Sequence, residues 1–175
     1  AFATHVLGPL LLTVELRPLL AADGDGRVVF VSSGGMYSAA LSDDFDSSQG
    51  EYKGVRAYAR TKRMQVTLTE QLALTFDGID DPVVHSMHPG WAQTPGVTDS
   101  LPGFDKIAKP ILRTPEQGAD TIVWLVAAAE PSRSSGRFWH DRRVRPTHYL
   151  PWQHDDPAIR AKLWRESVSR TGAIL

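Results

Sequence analysis

The feature that most constrains the fold is the alternation of short, continuously apolar segments with longer segments of helical periodicity. Residues 27–33 (RVVFVSS) and 81–88 (DPVVHSMH) are typical of strands buried on both faces, and the run SGRFWHD indicates a third short strand. Helical spacing or helix-start signals are found at residues 2–21, 54–76, 114–130 and 156–170. This alternation predicts an α/β fold, a parallel sheet covered by helices on both faces.

The first segment, residues 2–21, is expected to be a core helix. It begins without a Met, and Glu15 and Arg17 interrupt its apolar run, so it resembles neither a signal peptide nor a membrane span. Pro18 is expected near the end of this helix. We therefore expect the sequence to be cut from a longer chain. Without a repeat or linker to divide it, it is predicted to be a single domain over residues 1–175.

Composition excludes several classes of function. The formal net charge is -1, so no strong positive field favours nucleic acid or an anionic membrane, and neither partner is predicted. The absence of Cys excludes disulfides and fits a cytoplasmic protein. His85 and His88 point to opposite faces of a predicted strand, and the other histidines lack ligand spacing, so no metal site is predicted.

Three polar features converge on one edge of the predicted sheet. Ser33 ends one strand, the following helix carries Tyr58 and Lys62 four residues apart, and HPGWAQT follows the next strand. Ligands of open α/β sheets bind beyond the carboxyl ends of the strands. Tyr58 and Lys62 are therefore predicted to be a catalytic acid and its electrostatic helper. The alternative is an ordinary polar pair on a solvated helix face.

Together these motifs, VSSGG, YARTK and HPGWAQT, resemble those of the short-chain dehydrogenase/reductase family, in its retinol-dehydrogenase-like branch. Ser33 precedes Tyr58 by 25 positions, a gap typical of that branch. The resemblance extends from residue 1 to about residue 170. It implies a Rossmann-type doubly wound parallel sheet and an NAD(P)-dependent oxidoreductase that interconverts an alcohol and a carbonyl.

The resemblance also implies roles for the catalytic residues. Tyr58 would be the general acid or base, and the Lys62 ammonium would stabilise its phenolate form and hold the nicotinamide ribose. Ser33 would donate a hydrogen bond to the substrate oxygen as negative charge develops there. The family has an Asn on the preceding helix that takes part in a proton relay, and the matching residue here is His5. His5 either substitutes in that relay or only packs.

Cofactor and substrate contacts are expected from the segment after the second strand. By resemblance, Pro89, Gly90, Trp91 and Thr94 would hold the nicotinamide of NAD or NADP. Ser33, Gly35 and Trp91 are expected to face a small-molecule substrate. The apolar loop of residues 91–112 is interpreted as a mobile lid over a hydrophobic substrate, with packing against the final helix as the alternative.

One family feature is missing from these residues. There is no Gly-rich turn between a strand and a helix, which is the part that receives a dinucleotide pyrophosphate. The chain is therefore predicted to be the C-terminal portion of the fold, about two-thirds of it, with the first βαβαβ half absent. Residues 27–33 would then form an exposed sheet edge. The resemblance is compatible with a homo-oligomer of the intact protein through helix 54–76. A non-catalytic Rossmann-like interaction module, or an inactive fragment, is the alternative function.

Overall fold

The computed structural model describes residues 1–92 and 112–175, and within them helices and strands alternate as predicted. The elements, in chain order, are a π-helical turn (Ala3–Leu7), α1 (Gly8–Asp23), β1 (Arg27–Val31), a 3-10 turn (Gly34–Ser38), α2 (Gly54–Thr75), β2 (Val83–Met87), α3 (Pro115–Ala127), a 3-10 turn (Pro131–Arg133), β3 (Phe138–His140), β4 (Arg143–Val144) and α4 (Pro157–Thr171).

The sheet of the described residues has the order β1-β2-β3-β4. β1 pairs with β2 in parallel, from Arg27 opposite Val83 to Val31 opposite Met87, and β2 pairs with β3 in parallel. The two-residue strand β4 is antiparallel to β3, a connection that the sequence did not predict. Asp141 and Arg142 both have positive φ, 54° and 55°, and so form the tight two-residue turn that permits this hairpin.

Helices cover both faces of this sheet, as the α/β prediction requires. On one face, Phe30 and Val84 pack with Leu10 of α1 and Leu72 of α2. On the other face, the core consists of residues from β1, β2, β3 and α3: Val29, Met87, Leu125, Trp139, Ile122 and Trp124. Consecutive residues of β1 therefore enter opposite cores, which explains why its sequence is apolar without alternation.

Two helix ends differ from the sequence-based prediction. Pro18 lies inside α1, which continues to Asp23 and ends where Gly24 adopts a left-handed φ of 73°. Helix α3 ends at Ala127 rather than at Glu130. The Arg27 guanidinium donates to the carbonyls of Leu125 and Ala128 there, which satisfies groups that another helical turn would have paired.

The central part of α2 is buried on every side. All nine residues from 61 to 69 are buried, including the charged Lys62 and Arg63. Met64 and Leu68 form one core cluster with Leu163 of α4 and with side chains of Phe2, Val6, Leu41 and Phe45. The alternative of a solvated polar pair is therefore wrong for Lys62. Residues 61–69 are covered by other segments of the chain, so only the two ends of α2 are exposed enough to take part in the oligomer interface predicted on this helix.

Strand β1 lies at the edge of the sheet and pairs only with β2 among the described residues. Val31, at its end, is 40% exposed. By length and composition alone, helix Ala3–Ala22 is apolar enough to cross a membrane, with a mean hydropathy of 1.3, although core helices of soluble proteins pass the same test. Its Leu10 and Val14 pack in the core. The absence of a membrane partner stays a prediction.

Candidate active site

The candidate site lies at the carboxyl ends of β1 and β2, where hydrogen bonds join the strand ends to α2. The Ser32 amide donates to the Met87 carbonyl at 2.7 Å and so continues the pairing of β1 with β2 beyond the strand. The Ser32 hydroxyl donates to the Lys62 carbonyl at 2.8 Å. Ser32 thereby attaches the helix that carries Tyr58 and Lys62 to the end of β1, which stops at Val31, two residues before Ser33.

Ser33 begins the 3-10 turn of residues 34–38 as its N-terminal cap. Its backbone is extended, with φ -151°, and its Oγ accepts a hydrogen bond from the Gly35 amide at 3.2 Å. That bond uses a lone pair of the hydroxyl and leaves its proton for donation. Gly35 approaches α2, because a Cβ at this position would lie 3.9 Å from the Ala59 side chain. The turn thus brings Ser33 close to the start of α2.

Tyr58 and Lys62 lie one turn apart on α2 and differ in burial. Tyr58 is 42% exposed, whereas Lys62 is 9% exposed. The Lys62 ammonium lies 5.4 Å from the centroid of the Tyr58 ring. It donates to the Val31 carbonyl at 2.9 Å and to Gln65 Oε1 at 3.1 Å. Burial lowers the pKa of Lys62, so these two acceptors stabilise an ammonium that has lost most of its water.

His5 lies beside Tyr58, and its ring contacts the Thr61 hydroxyl. The two rings meet edge to face, with centroids 5.7 Å apart. His5 Nδ1 is 2.9 Å from the Thr61 hydroxyl, which donates to the Tyr58 carbonyl. Because that hydroxyl proton is already used, the contact requires a proton on His5 Nδ1. Burial and the positive charge of Lys62 lower the pKa of His5, which favours its neutral form.

Gln65 is a residue of this cluster that the sequence did not single out. It is buried, it contacts Lys62 through Oε1, and its Nε2 donates to the His5 carbonyl at 2.7 Å. The signal available in the sequence was its position three residues after Lys62, on the same side of a helix. His5 and Lys62 are therefore joined through Gln65 and the main chain of His5.

The segment after β2 forms the second side of the site. The His88 ring stacks on the His140 ring with centroids 3.8 Å apart. It also lies next to Gly34, since a Cβ added to Gly34 would be 3.7 Å from His88 Nδ1. Burial lowers the pKa of His88 to about 4, with His140 adding to the effect. The sequence predicted no metal role for His88. In the structure its ring packs between Gly34, which follows β1, and His140, which ends β3.

Pro89 and Gly90 follow His88 at this edge. Gly90 has φ 79°, and a Cβ there would come within 2.8 Å of the Arg113 guanidinium, so the position requires glycine. The Arg113 guanidinium pairs with Asp141, and the Arg113 amide donates to the Trp91 carbonyl at 2.8 Å, which joins the chain before residue 93 to the chain after residue 111. Trp91 is 53% exposed. Thr94 and the predicted lid lie outside the described residues, apart from 91, 92 and 112.

The structure therefore brings His5, Tyr58, Lys62 and Gln65 into contact as one cluster. Ser33 is linked to this cluster by its neighbours, because Ser32 hydrogen-bonds to Lys62 and Gly35 packs near Ala59. The Pro89–Gly90 segment lies close to the turn after Ser33 because the preceding His88 ring packs against Gly34. A cleft of about 400 Å³ lies between the 3-10 turn and the 147–155 segment, and its described lining does not include Ser33, Tyr58 or Lys62. Its lining includes the following residues near the turn and from the 147–155 segment: Met36, Tyr37, Arg63, His148, Tyr149 and Trp152.

Comparison with known proteins gives the following similarities. No family model matches the chain. Dehydrogenase/reductase SDR family member 12 of Bos taurus is 44% identical over 93% of this chain and 51% of that protein. Retinol dehydrogenase 14 of Homo sapiens is 30% identical over 99% of this chain and 52% of that protein. The chain thus spans about half the length of the curated relatives it matches.

Solved structures show the same fold. A short chain dehydrogenase from Salmonella enterica serovar Typhi superposes with a TM-score of 0.52 at 24% identity, over 70% of this chain and 43% of that chain. At this identity the similarity concerns the fold alone. The Rossmann-type α/β fold predicted from the sequence is confirmed, with the antiparallel β4 as an addition to its parallel strands.

Proposed function

We propose that this chain, which belongs to the short-chain dehydrogenase/reductase family in its retinol-dehydrogenase-like branch, carries the proton-transfer part of an NAD(P)-dependent oxidoreductase. The reaction would interconvert an alcohol and a carbonyl. One observation carries the proposal: a buried ammonium, Lys62, lies beneath an accessible tyrosine, Tyr58, at the sheet edge where Ser33 is also found. Burying a charge is unfavourable unless something offsets it, and the two acceptors of Lys62 keep its ammonium charged beneath Tyr58.

The three side chains have complementary roles in this proposal. In the direction of reduction, Tyr58 donates its hydroxyl proton to the carbonyl oxygen of the substrate and becomes a phenolate. Lys62 stabilises that phenolate through its positive charge. The Ser33 hydroxyl, whose Oγ is held by the Gly35 amide, donates a hydrogen bond to the same substrate oxygen. In oxidation the phenolate takes the proton back from the alcohol.

The site residues fit a nicotinamide cofactor. A bound NAD(P)H supplies the hydride that the carbonyl carbon receives. Lys62 has three N–H donors, and Val31 and Gln65 accept two of them, so one remains for a ribose hydroxyl. Pro89 and Gly90, after the end of β2, are expected to contact the cofactor ring through the main chain. The 175 residues contain no Gly-rich turn to receive the pyrophosphate.

The aromatic side chains on one side of the cleft support a hydrophobic substrate, although the rest of its lining, including Arg63, Gln153 and Asp155, is polar. Tyr37 stacks on Tyr149 with ring centroids 4.2 Å apart and contacts the His88 ring edge to face, so aromatic surfaces extend from the sheet edge into the cleft. Trp152, which also lines the cleft, is 72% exposed. Retinol, in the name of one relative, is an alcohol of the apolar kind that such a cleft would suit.

The first test of the proposal is Tyr58→Phe in the full-length protein. We expect turnover of hydrophobic aldehydes and ketones, assayed with NADH and NADPH, to be abolished while cofactor binding is unchanged, because only one hydroxyl is removed. Tyr52→Phe is the matched control, since Tyr52 is 63% exposed and lies outside the cluster. A variant that keeps more than about a tenth of the wild-type kcat, a loss below about 1.4 kcal/mol, would show that Tyr58 is not the acid.

The rival function is a non-catalytic interaction module. It is favoured by His5 in place of the family's Asn and by the unpaired edge of β1 among the described residues. The open reading frame upstream of residue 1 separates the two functions. A Gly-rich strand–turn–helix there supports the enzyme, and a verified frame without one supports the module.

A further inference from the structure

Gln65 is a buried amide with both ends of its side chain hydrogen-bonded, and its two partners fix its orientation. Oε1 accepts from the Lys62 ammonium at 3.1 Å, and Nε2 donates to the His5 carbonyl at 2.7 Å. An ammonium only donates and a carbonyl only accepts, so the flipped amide would lose both bonds. Gln65 is 5% exposed, which makes either loss costly.

The N-terminal π turn supplies the second partner. The Gly8 amide donates to the Ala3 carbonyl, five residues back, rather than to the residue four back. Such a widened turn disturbs the regular ladder of helical hydrogen bonds, and π turns are frequent at functional sites. Here the His5 carbonyl of that turn accepts from Gln65 of α2. The distorted turn is thus attached to the buried lysine through one side chain.

The acceptors of Lys62 show why this attachment matters. Its ammonium is held by one main-chain acceptor, Val31 O, and one side-chain acceptor, Gln65 Oε1. Within residues 1–92 and 112–175, the titratable groups next to it are Tyr58 from its own helix and His5 from the π turn. No carboxylate in that part of the chain pairs with the ammonium, so its position depends on its two neutral acceptors.

We propose that Gln65 is a positioning residue that holds the Lys62 ammonium beneath Tyr58 and couples it to the main chain of His5 at the π turn. This inference rests on the proposed function for its effect on turnover, but its effect on Lys62 is independent of any reaction. The simpler explanation is that Gln65 only fills space in the core. The two explanations differ for a substitution that keeps the volume and removes the acceptor.

The experiment compares Gln65→Met, Gln65→Glu and the control Gln71→Met in the full-length protein labelled with 13C-lysine. Gln71 lies on the same helix and is only partly buried. The signal of the Lys62 side chain, assigned with Lys62→Arg, is followed by NMR as the pH is raised. We expect the Lys62 pKa to fall by about one unit in Gln65→Met, a tenfold change in the protonation equilibrium. Gln65→Glu, which restores an acceptor, should return it to the wild-type value or above.

A Lys62 pKa that is equal in wild type, Gln65→Met and Gln71→Met would overturn the inference, since packing alone would then explain Gln65. The pH profile of kcat gives a second, separate readout. We expect its basic limb to move with the Lys62 pKa in Gln65→Met, and a profile that stays in place would refute a role in turnover. If Tyr58→Phe retains activity, the proposed function fails, while the NMR titration still decides whether Gln65 holds Lys62.

Discussion

Arg63 gives the sharpest prediction about stability, because it is a fully buried charge on the helix that carries the site. Its side chain is 2% exposed and that of its partner Asp155 is 5% exposed. Two hydrogen bonds join the pair, at 3.2 Å from Nε and 2.6 Å from the second guanidinium nitrogen. The guanidinium also donates to the Thr147 carbonyl and contacts His148. Arg63 therefore ties α2 to the segment that lines the cleft.

Arg63→Met removes the charge and leaves the Asp155 carboxylate buried. The remaining partners of Asp155 are longer contacts than the pair with Arg63: the Thr67 hydroxyl at 3.4 Å, His148 Nε2 at 3.5 Å and Arg160 at 3.7 Å. Breaking a buried pair in this way costs about 3–5 kcal/mol. Against a usual total stability of about 5–15 kcal/mol, this is a large fraction. We expect the free energy of unfolding to fall by that amount.

The assay is urea unfolding of the full-length protein, followed by Trp fluorescence, with refolding checked for reversibility. Arg56→Met is the matched control, because Arg56 is an exposed arginine of the same helix. The double variant Arg63→Met/Asp155→Leu should recover part of the loss, since it removes the uncompensated carboxylate as well. A loss below about 1 kcal/mol for Arg63→Met, similar to that of an exposed ion pair, would refute the argument.

Two further predictions concern pH and the chain alone. The pKa of His88 is lowered to about 4 by burial, and an unfolded histidine titrates near 6.5. The unfolded state therefore binds more protons between these values, and the free energy of unfolding should fall as the pH drops from about 6.5 to about 4. His88→Phe should weaken that dependence and the exposed His154→Phe should not; an equal slope in all three proteins would contradict the assignment. Expressed alone, the 175 residues should aggregate through the edge of β1 and bind neither NADH nor NADPH, as no Gly-rich turn receives the pyrophosphate. Saturable micromolar binding to the purified monomer, measured by fluorescence titration, would disprove this.

The sequence predicted the elements of the fold well, because their signals are local. Apolar runs such as that of β1, and the Thr114 cap with Pro115 at the first turn, depend only on neighbouring residues. The end of α3 was mispredicted because the groups that terminate it bond to Arg27, a residue about one hundred positions away. The hairpin to β4 was missed because Asp141 and Arg142 adopt a turn usually formed by Asn and Gly.

For the candidate site, motifs brought Ser33, Tyr58 and Lys62 to attention, but they gave no information on burial. Helical periodicity indicated one apolar face for α2, whereas the structure buries residues 61–69 on all sides. That difference depends on α4, which packs on α2 from the far end of the chain through Leu163. The sequence gives no local sign of this packing. For this reason the sequence pattern did not predict the burial of the polar residues next to Lys62, and it did not indicate Gln65 as a site residue.

The burial of residues 61–69 of α2 on all sides has a consequence for the proposed mechanism. A polar side chain in such a helix is stable only if the chain itself supplies its partners. Asp155 does so for Arg63, and Val31 and Gln65 do so for Lys62. Each partner comes from a different segment, so any movement of Lys62 would break a bond to a strand end or to its own helix. Tyr58, at the exposed end of this buried stretch, thus has a fixed charge beneath it before any substrate arrives. In the proposed reaction, preorganisation of this kind would remove the need for reorganisation when Tyr58 becomes a phenolate.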